Sequence, residues 1–321
     1  MHEIVLAESA QAQSGRMARL QRLRRFTQFG FFALFLLAPA LNLLRFDLQE
    51  TQLWFLGFRW SLGIDAFMRG EITANQAALS ILLRGILPAL LFVVGFMTLA
   101  WRYGRVYCGW LCPHFSLVET LNELLHRATG KYSLWERERN AQGHRGWWPL
   151  FLFSGLFFGF AWSITLLTYL LPPAQIWGGL VHGTLTPNQA RFVFIGGAVF
   201  SAEMLLARHL FCRFGCAVGL FQSLAWMANP RALVVAFTRE RARDCRDCST
   251  AKAPEGAACD VACPMRLKPR NIKRLMFSCV QCGQCVTECE SSHAPRGANP
   301  NLEWTVGVDA LRETLKQKNR H

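Results

Sequence analysis

Long apolar runs separated by polar, often basic, stretches dominate the first two thirds of the chain. A membrane-spanning helix needs about 20 predominantly apolar residues, and four runs approach or exceed this length: residues 27–44, 79–101, 148–171 and 192–207. From residue 208 onward the sequence is mainly polar and basic, apart from an amphipathic piece over Gly219–Met227. The pattern predicts a mainly α-helical protein, with a four-span membrane domain followed by a polar domain.

The composition is that of a membrane protein. The chain of 321 residues is 52% hydrophobic and only 17% charged, which is too apolar for a soluble domain. Its net charge of +14 comes largely from segments beside the apolar runs, as expected when positively charged loops stay in the cytoplasm. Topology therefore explains the charge, and we expect membrane lipid, not nucleic acid, as a partner of the protein.

The distribution of Lys and Arg predicts the orientation. The loop 172–190 carries no Lys or Arg, whereas residues 102–147 carry seven against four acidic residues. Segments 1–25, 102–147 and 208–321 are therefore expected in the cytoplasm, and 45–75 and 172–190 outside. This predicts a multi-pass protein of the inner (cytoplasmic) membrane with both termini in the cytoplasm.

Eight cysteines fall within 45 residues of the polar domain. The first run is Cys245-x2-Cys248-x10-Cys259-x3-Cys263-Pro264, and the second is Cys279-x2-Cys282-x2-Cys285-x3-Cys289. The second spacing is that of a [4Fe-4S] protein, in which the fourth cysteine of each run binds the other cluster. This rule assigns Cys245, Cys248, Cys259 and Cys289 to cluster 1, and Cys279, Cys282, Cys285 and Cys263 to cluster 2.

Disulfides and zinc are the alternatives for these eight cysteines. Disulfides need an oxidising compartment, whereas this segment is expected in the cytoplasm. Zinc favours two separated C-x2-C pairs, and three cysteines at x2-x2 spacing suit it poorly. The insertion Ser249–Ala258 departs from the usual two-residue spacing before the third cysteine.

The remaining four cysteines form two C-x3-C pairs at matched positions. Cys108 and Cys112 follow the second predicted span, and Cys212 and Cys216 follow the fourth, 104 residues later. Because C-x3-C on a helix places both sulfurs on one face, the membrane domain is expected to consist of two repeated hairpins, each ending in a cysteine pair. The four thiols are interpreted as a third metal site, either iron–sulfur or copper, or as a redox dithiol; buried structural cysteines are the alternative. His114 and His209 flank the pairs and are candidates for supporting roles.

Several stretches resemble the membrane polyferredoxins of the NapH, NosR and CcoG/FixG type. They are Arg45-Phe-Asp-Leu, Gly104–Pro113 followed by Glu119, Phe221-Gln222-Ser223, and the region from Asp244 through Cys289 to Pro295-Arg296-Gly297. The resemblance covers about residues 25–300 and is closest to the CcoG/FixG accessory proteins of cytochrome oxidase assembly. The C-terminal span and outer domain of that branch are not expected in this chain.

The resemblance implies a cytoplasmic two-cluster ferredoxin on a helical membrane base, passing single electrons. For the CcoG/FixG branch it implies reduction of Cu(II) to Cu(I), and for the other branches electron supply from the quinol pool to a reductase. Respiratory complexes and quinone are therefore candidate partners, and the chain is either an electron carrier or an oxidoreductase such as a cupric reductase. The alternative is a copper-handling assembly factor that uses the membrane cysteines, with regulatory clusters.

The predicted organisation has four parts. Residues 1–25 form a basic cytoplasmic segment, 26–230 the membrane domain, 231–300 an α+β ferredoxin-like domain with two [4Fe-4S] clusters, and 301–321 a C-terminal tail. Five basic residues of the third part are suited to docking an acidic electron donor; the alternative is that they set the topology and compensate anionic clusters. They are Arg266, Lys268, Arg270, Lys273 and Arg274.

Overall fold

The computed structural model describes residues 2–50, 52–136, 142–245, 248–249 and 258–309, with side chains from residue 15 onward except Arg16. The α-helices in these ranges are α1 (His2–Leu37), α2 (Ile64–Met68), α3 (Ala74–Ile81), α4 (Leu87–Tyr103), α5 (Val106–Trp110), α6 (Pro113–Thr129), α7 (Trp148–Leu170), α8 (Pro173–His182), α9 (Pro187–Ala202), α10 (Ala217–Ala228), α11 (Ala258–Val261) and α12 (Gln284–His293). The strands are β1 (Leu44–Asp47), β2 (Gln52–Phe55), β3 (Phe58–Trp60), β4 (Leu233–Phe237) and β5 (Leu302–Val306).

Shorter helical turns connect these elements. The π-helical turns are Leu82–Ile86, Glu203–Ala207 and Phe211–Gly215, and the 3₁₀ turns are Arg145–Trp147, Arg239–Cys245, Lys273–Met276 and Ala294–Arg296.

Three helical stretches in the described ranges are long and apolar enough to cross a membrane. They are Ala74–Tyr103, Arg145–Leu170 and Pro187–Ala207, and they overlap the predicted spans 79–101, 148–171 and 192–207. Most side chains on the first of them are exposed, including Leu91 and Phe92. Such a continuous apolar surface is unfavourable in water and suits contact with lipid.

The segment predicted as the first span folds differently at its C-terminal end. Helix α1 ends at Leu37, and the chain turns over residues 38–43 before β1 begins at Leu44. Pro39 accounts for the early end, because proline lacks the N–H of the helical hydrogen bond and disfavours helical geometry in the preceding residue. The crossing of the membrane by residues 27–44 stays a prediction.

The chain divides into two compact units, and one of them comprises residues 32–98 and 153–205. Its strands form an antiparallel sheet in the order β1-β2-β3, where Arg45 pairs with buried Asp47 at 2.7 Å. Helices α7 and α9 approach closely in this unit: a Cβ at Gly196 would lie 2.7 Å from the Ser163 hydroxyl. Small residues permit this approach, as in helix pairs within membranes.

The other unit comprises residues 1–31, 99–152 and 206–321. Helix α6 begins with Pro113 in its first turn and ends at Gly130, whose φ of 76° closes the helix. Its buried face carries Phe115, Val118 and Leu121. Strands β4 and β5 pair antiparallel beside α12, and cysteines form part of the buried core. This grouping differs from the predicted division at residue 230; that division and the ferredoxin-like arrangement stay predictions.

Candidate metal centres

The four cysteines predicted for cluster 1 line one cavity. Helix α11 provides Cys259, α12 provides Cys289, and the segment that follows β4 provides Cys245 and Cys248. The other residues that line this cavity are Phe237, Arg270 and Leu302. Residues far apart in sequence thus present four sulfurs to one space.

Hydrogen-bond donors point at these sulfurs. Asn301 is fully buried; its backbone N–H donates to Cys289 Sγ at 3.3 Å, and its Nδ2 donates to Cys245 Sγ at 3.3 Å. The Ser292 hydroxyl lies 3.1 Å from Cys248 Sγ. Because a thiolate accepts hydrogen bonds more strongly than a thiol, donors in these places favour metal-bound sulfur.

The four cysteines predicted for cluster 2 line a separate cavity, called cavity 2 below. Cys279 and Cys282 come from the loop before α12, Cys285 from its first turn, and Cys263 from the segment after α11. The remaining lining residues are Val235, Pro264, Met265, Leu267, Met276, Val280 and Gly283. The structure therefore groups the eight cysteines into the two predicted sets, while their role as cluster ligands stays a prediction.

The loop around cavity 2 has a conformation that few residues adopt. Gln281 has a φ of 53° and Gly283 a φ of 72°, both in the left-handed region. A Cβ on Gly283 would lie 2.6 Å from the Trp304 ring, so this position requires glycine. The backbone N–H of Leu267 donates to Cys263 Sγ at 3.4 Å on the other side of the cavity.

Burial makes the cavity 2 thiols unusually weak acids. It raises the pKa of the Cys279 and Cys282 thiols to about 12 and raises that of Cys285 well above its ordinary value. A thiol in such surroundings stays protonated unless a positive centre replaces its proton, and metal coordination does this outright. Among the described residues, no group of three or more His, Cys, Asp and Glu side chains is placed around a single ion. Four sulfurs around a cavity suit a multinuclear group.

A buried polar network holds the cavity 2 loop. Arg24 is 1% exposed and donates from both terminal nitrogens to Glu119, each at 2.9 Å. Glu119 also accepts from Gln28 at 2.6 Å and from Gln284 at 2.7 Å. Since Gln284 lies between Cys282 and Cys285 of cavity 2, this network ties α1 and α6 to the segment that carries these cysteines. Gln21 adds a bond to the carbonyl of Cys282 at 2.9 Å.

The two C-x3-C pairs lie in the same unit as the cavities. Cys108 lies in α5 and Cys212 in the π-helical turn Phe211–Gly215, and both are buried. Cys112 immediately precedes α6, and Cys216 immediately precedes α10. The segment of the first pair packs on the cavity 2 loop, because Trp110 donates from Nε1 to the carbonyl of Gln281 at 3.0 Å.

Polar side chains accompany these cysteines. Gln222 Nε2 donates to Cys108 Sγ at 3.5 Å. His114 was a candidate for a supporting role, and its Nδ1 lies 3.5 Å from Cys212 Sγ. His209 is buried, and burial together with neighbouring arginines lowers its pKa to about 4. Arg105 is 1% exposed and donates to the carbonyl of Cys212 at 2.6 Å.

Most of the five basic residues proposed as a docking surface have partners within the chain. Arg266 pairs with Glu136, and Arg270 pairs with Asp260 at 2.5 Å. Lys273 donates to two backbone carbonyls at 2.7 and 2.8 Å. Lys268 and Arg274 are exposed. Three of the five are therefore engaged in contacts within the chain, which leaves fewer of them available for docking.

Sequence reasoning missed the buried cations. Arg24 was assigned to a basic cytoplasmic segment, and Arg105 to the charges that set topology. Neither spacing nor composition distinguishes them from exposed arginines. A weak signal was available for Arg105, which lies three residues before Cys108, so one helical turn places it beside the sulfur.

Two comparisons with known proteins give matches. A model of the family described as "4Fe-4S binding domain" matches residues 86–132, a stretch whose cysteines are Cys108 and Cys112. The "Putative electron transport protein YccM" of Escherichia coli (strain K12) is 23% identical over 209 residues, which are 63% of this chain and 53% of the relative. Both matches support an iron–sulfur electron-transfer protein.

Both matches cover only part of the chain. The chain spans about half the length of the curated relative it matches, and no solved structure matches it. They leave the branch of the family, the number of clusters and the partners as proposals.

Proposed function

We propose that this protein passes single electrons through two [4Fe-4S] clusters held by a cytoplasmic domain on a membrane base. The observation that carries the proposal is the pair of cavities, each lined by four cysteines in the sets that the crossing-over of cysteine runs predicts. The matched family and the relative support the same chemistry.

The chain's own residues position the clusters and set their environment. The clusters supply one-electron redox chemistry, whose potential depends on burial, net charge and hydrogen bonds to sulfur. Asn301 and Leu267 supply N–H donors to ligand sulfurs. Val235, Met265 and Met276 supply an apolar wall around cavity 2, which excludes water from that centre.

Anaerobic metal analysis tests the proposal. Two cubes correspond to about eight irons per chain with matching sulfide. Cys248→Ser and Cys282→Ser alter different cavities, so each variant should lose the signal of one cluster and keep that of the other. Zinc with little iron in the wild type would refute the redox function, and loss of all iron in both variants would contradict separate sites.

The orientation with both termini in the cytoplasm is part of the proposal. It needs an even number of crossings, so residues 27–44 must cross together with the three apolar helices. The apolar end of α1, Phe26–Leu37, rises only about 18 Å at 1.5 Å per residue, so residues 38–44 must complete the crossing. A reporter active only outside the membrane, fused after Leu48, should be active. The same reporter placed at the N-terminus should be inactive. Equal readings at the two positions, both active or both inactive, would mean that residues 27–44 do not cross and would indicate three crossings.

The electron acceptor is proposed to be a metal ion, Cu(II) being reduced to Cu(I), or a respiratory partner enzyme. The resemblance to the CcoG/FixG branch supports the metal ion. The test is whether the protein, once its clusters have been reduced, reduces Cu(II) to Cu(I). The alternative, a copper-handling factor, draws support from the buried sulfurs of Cys108 and Cys212, because thiolates select Cu(I). Copper that co-purifies and is lost in Cys108→Ser would favour this alternative.

A further inference from the structure

Arg105 is a buried cation with an unusual set of neighbours. Its side chain is 1% exposed, Nη2 donates to the carbonyl of Cys212, and Nε has no hydrogen-bond partner among the residues that the structure describes. Gly219 of α10 leaves the space for it, since a Cβ there would lie 2.7 Å from the guanidinium carbon. Within the described part of the chain, the ion pairs of 4 Å or less do not include Arg105.

Such a charge requires an anion nearby. A buried ion without a partner costs several kcal/mol, and proteins bury charges almost only when they are paired or close to a metal centre. The sulfurs of Cys108 and Cys279 lie close enough to interact electrostatically with Arg105. Neutral thiols would leave the guanidinium uncompensated, whereas metal-bound thiolates would compensate it.

The cysteine pairs lie within mutual range. Cys216 interacts electrostatically with both Cys108 and Cys112, and Cys212 packs in the same buried cluster as Cys108. Cys112 accepts backbone N–H groups from His114 and Phe115 in the first turn of α6, where helix geometry favours negative charge. Backbone N–H groups donate in the same way to Cys289 and Cys263 of the two cavities.

We propose that Cys108, Cys112, Cys212 and Cys216 bind a third iron–sulfur cluster, with Arg105 as its buried counter-charge. The family match over residues 86–132 includes only two cysteines, and the second pair supplies the two ligands that a cluster would still need. A cluster with four thiolates carries net negative charge, which a nearby guanidinium offsets. The inference rests on the proposed electron-transfer function and extends it to a third centre in the same unit.

The third site lies next to cavity 2. A Cβ on Gly109, within the first C-x3-C pair, would overlap the carbonyl oxygen of Val280, and Val280 lies between two cysteines of cavity 2. Cys108 and Cys212 of the third site share one buried cluster with Cys263 and Cys282 of cavity 2. An electron leaving the cluster of cavity 2 would oxidise that cluster and reduce the third by one electron, with no proton transfer required.

Iron and sulfide content of the full chain, purified anaerobically in detergent, tests the proposal. We expect iron clearly above the eight of two cubes, about twelve per chain if the third is also a cube. The double variant Cys212→Ser, Cys216→Ser should return the value to about eight while both cavity signals persist. Cys282→Ser is the matched comparison, because it should remove the cavity 2 signal and leave the third. About eight irons in wild type and double variant alike would refute the third cluster without touching the proposed function, whereas absence of iron would refute both.

Arg105 is tested separately as a positioning residue. Removing a positive charge beside a cluster destabilises its reduced, more negative form, so Arg105→Gln should lower the midpoint potential of the third cluster. Arg105→Lys keeps the charge and should retain most of the potential. A potential equal in the wild type and both variants would refute the role of Arg105. Copper or zinc at one ion per chain, lost in the double cysteine variant, would overturn the iron–sulfur assignment.

Discussion

The Glu119 carboxylate is expected to be essential for holding the cavity 2 loop. It accepts two bonds from Arg24, one from Gln28 and one from Gln284. In Glu119→Gln the side chain keeps one acceptor oxygen, and its new amide group faces donors. The change removes the negative charge while Arg24, 1% exposed, stays buried and positive.

The magnitude follows from the burial of the pair. Removing one partner of a buried ion pair costs about 3–5 kcal/mol; because the Glu119 side chain retains 15% of its exposure, we expect the lower end, about 3 kcal/mol. Glu123→Gln, one turn further along α6, is the matched control. Its pair with Arg127 is half-exposed on both sides, and such i,i+4 pairs contribute about 0.3–0.5 kcal/mol.

The assay is urea-induced unfolding in detergent, followed by loss of the iron–sulfur absorbance. We expect the midpoint of Glu119→Gln to fall well below that of the wild type, and that of Glu123→Gln to stay close to it. The double variant Arg24→Gln, Glu119→Gln should be less destabilised than the sum of the single variants, because it leaves no buried charge. Equal midpoints for the two glutamate variants, or strict additivity in the double variant, would show that the network does not hold the loop.

Three further predictions concern single positions. Gly283→Ala should lower iron retention more than Gly297→Ala, because both have positive φ but only the former would place its Cβ against Trp304; equal retention would contradict the steric argument. The pKa of His209 in the folded protein is about 4, below the ordinary 6.5. The free energy of unfolding should therefore decrease by up to about 3 kcal/mol as the pH falls from 6.5 to 4. His209→Phe should show a flatter acid limb in thermal unfolding. Asn301→Ala removes an N–H donor to a cluster 1 sulfur, so a redox titration should show a lower potential for that cluster alone.

The sequence was sufficient for the apolar helices and for the grouping of cysteines. Hydrophobic runs predict helices at 79–101, 148–171 and 192–207 because a bilayer imposes a length and a composition that the sequence must satisfy locally. The grouping of Cys263 with the second run was also predictable, because in two-cluster ferredoxins the fourth cysteine of each run binds the other cluster. The end of α1 was harder to predict from the sequence. Residues 38–44 are apolar enough to continue a span, but Pro39 ends the helix before them.

Long-range polar contacts lay beyond sequence reasoning. Glu119 is separated from Arg24 by 95 residues and from Gln284 by 165, so no periodicity links them. An arginine in a basic segment also looks the same whether it faces solvent or a carboxylate. The burial that distinguishes these residues is a property of the packed unit.

Arg24 and Arg105 illustrate two ways to bury a cation near a metal centre. Arg24 meets its own carboxylate, so the pair adds little net charge beside Cys282 and acts mainly through stability and the position of the loop. Arg105 has no carboxylate at ion-pair distance within the described residues, so sulfur ligands must balance it. The two arginines should therefore differ in their readouts. Loss of the Arg24–Glu119 pair should change the unfolding midpoint, whereas loss of the Arg105 charge should change a redox potential.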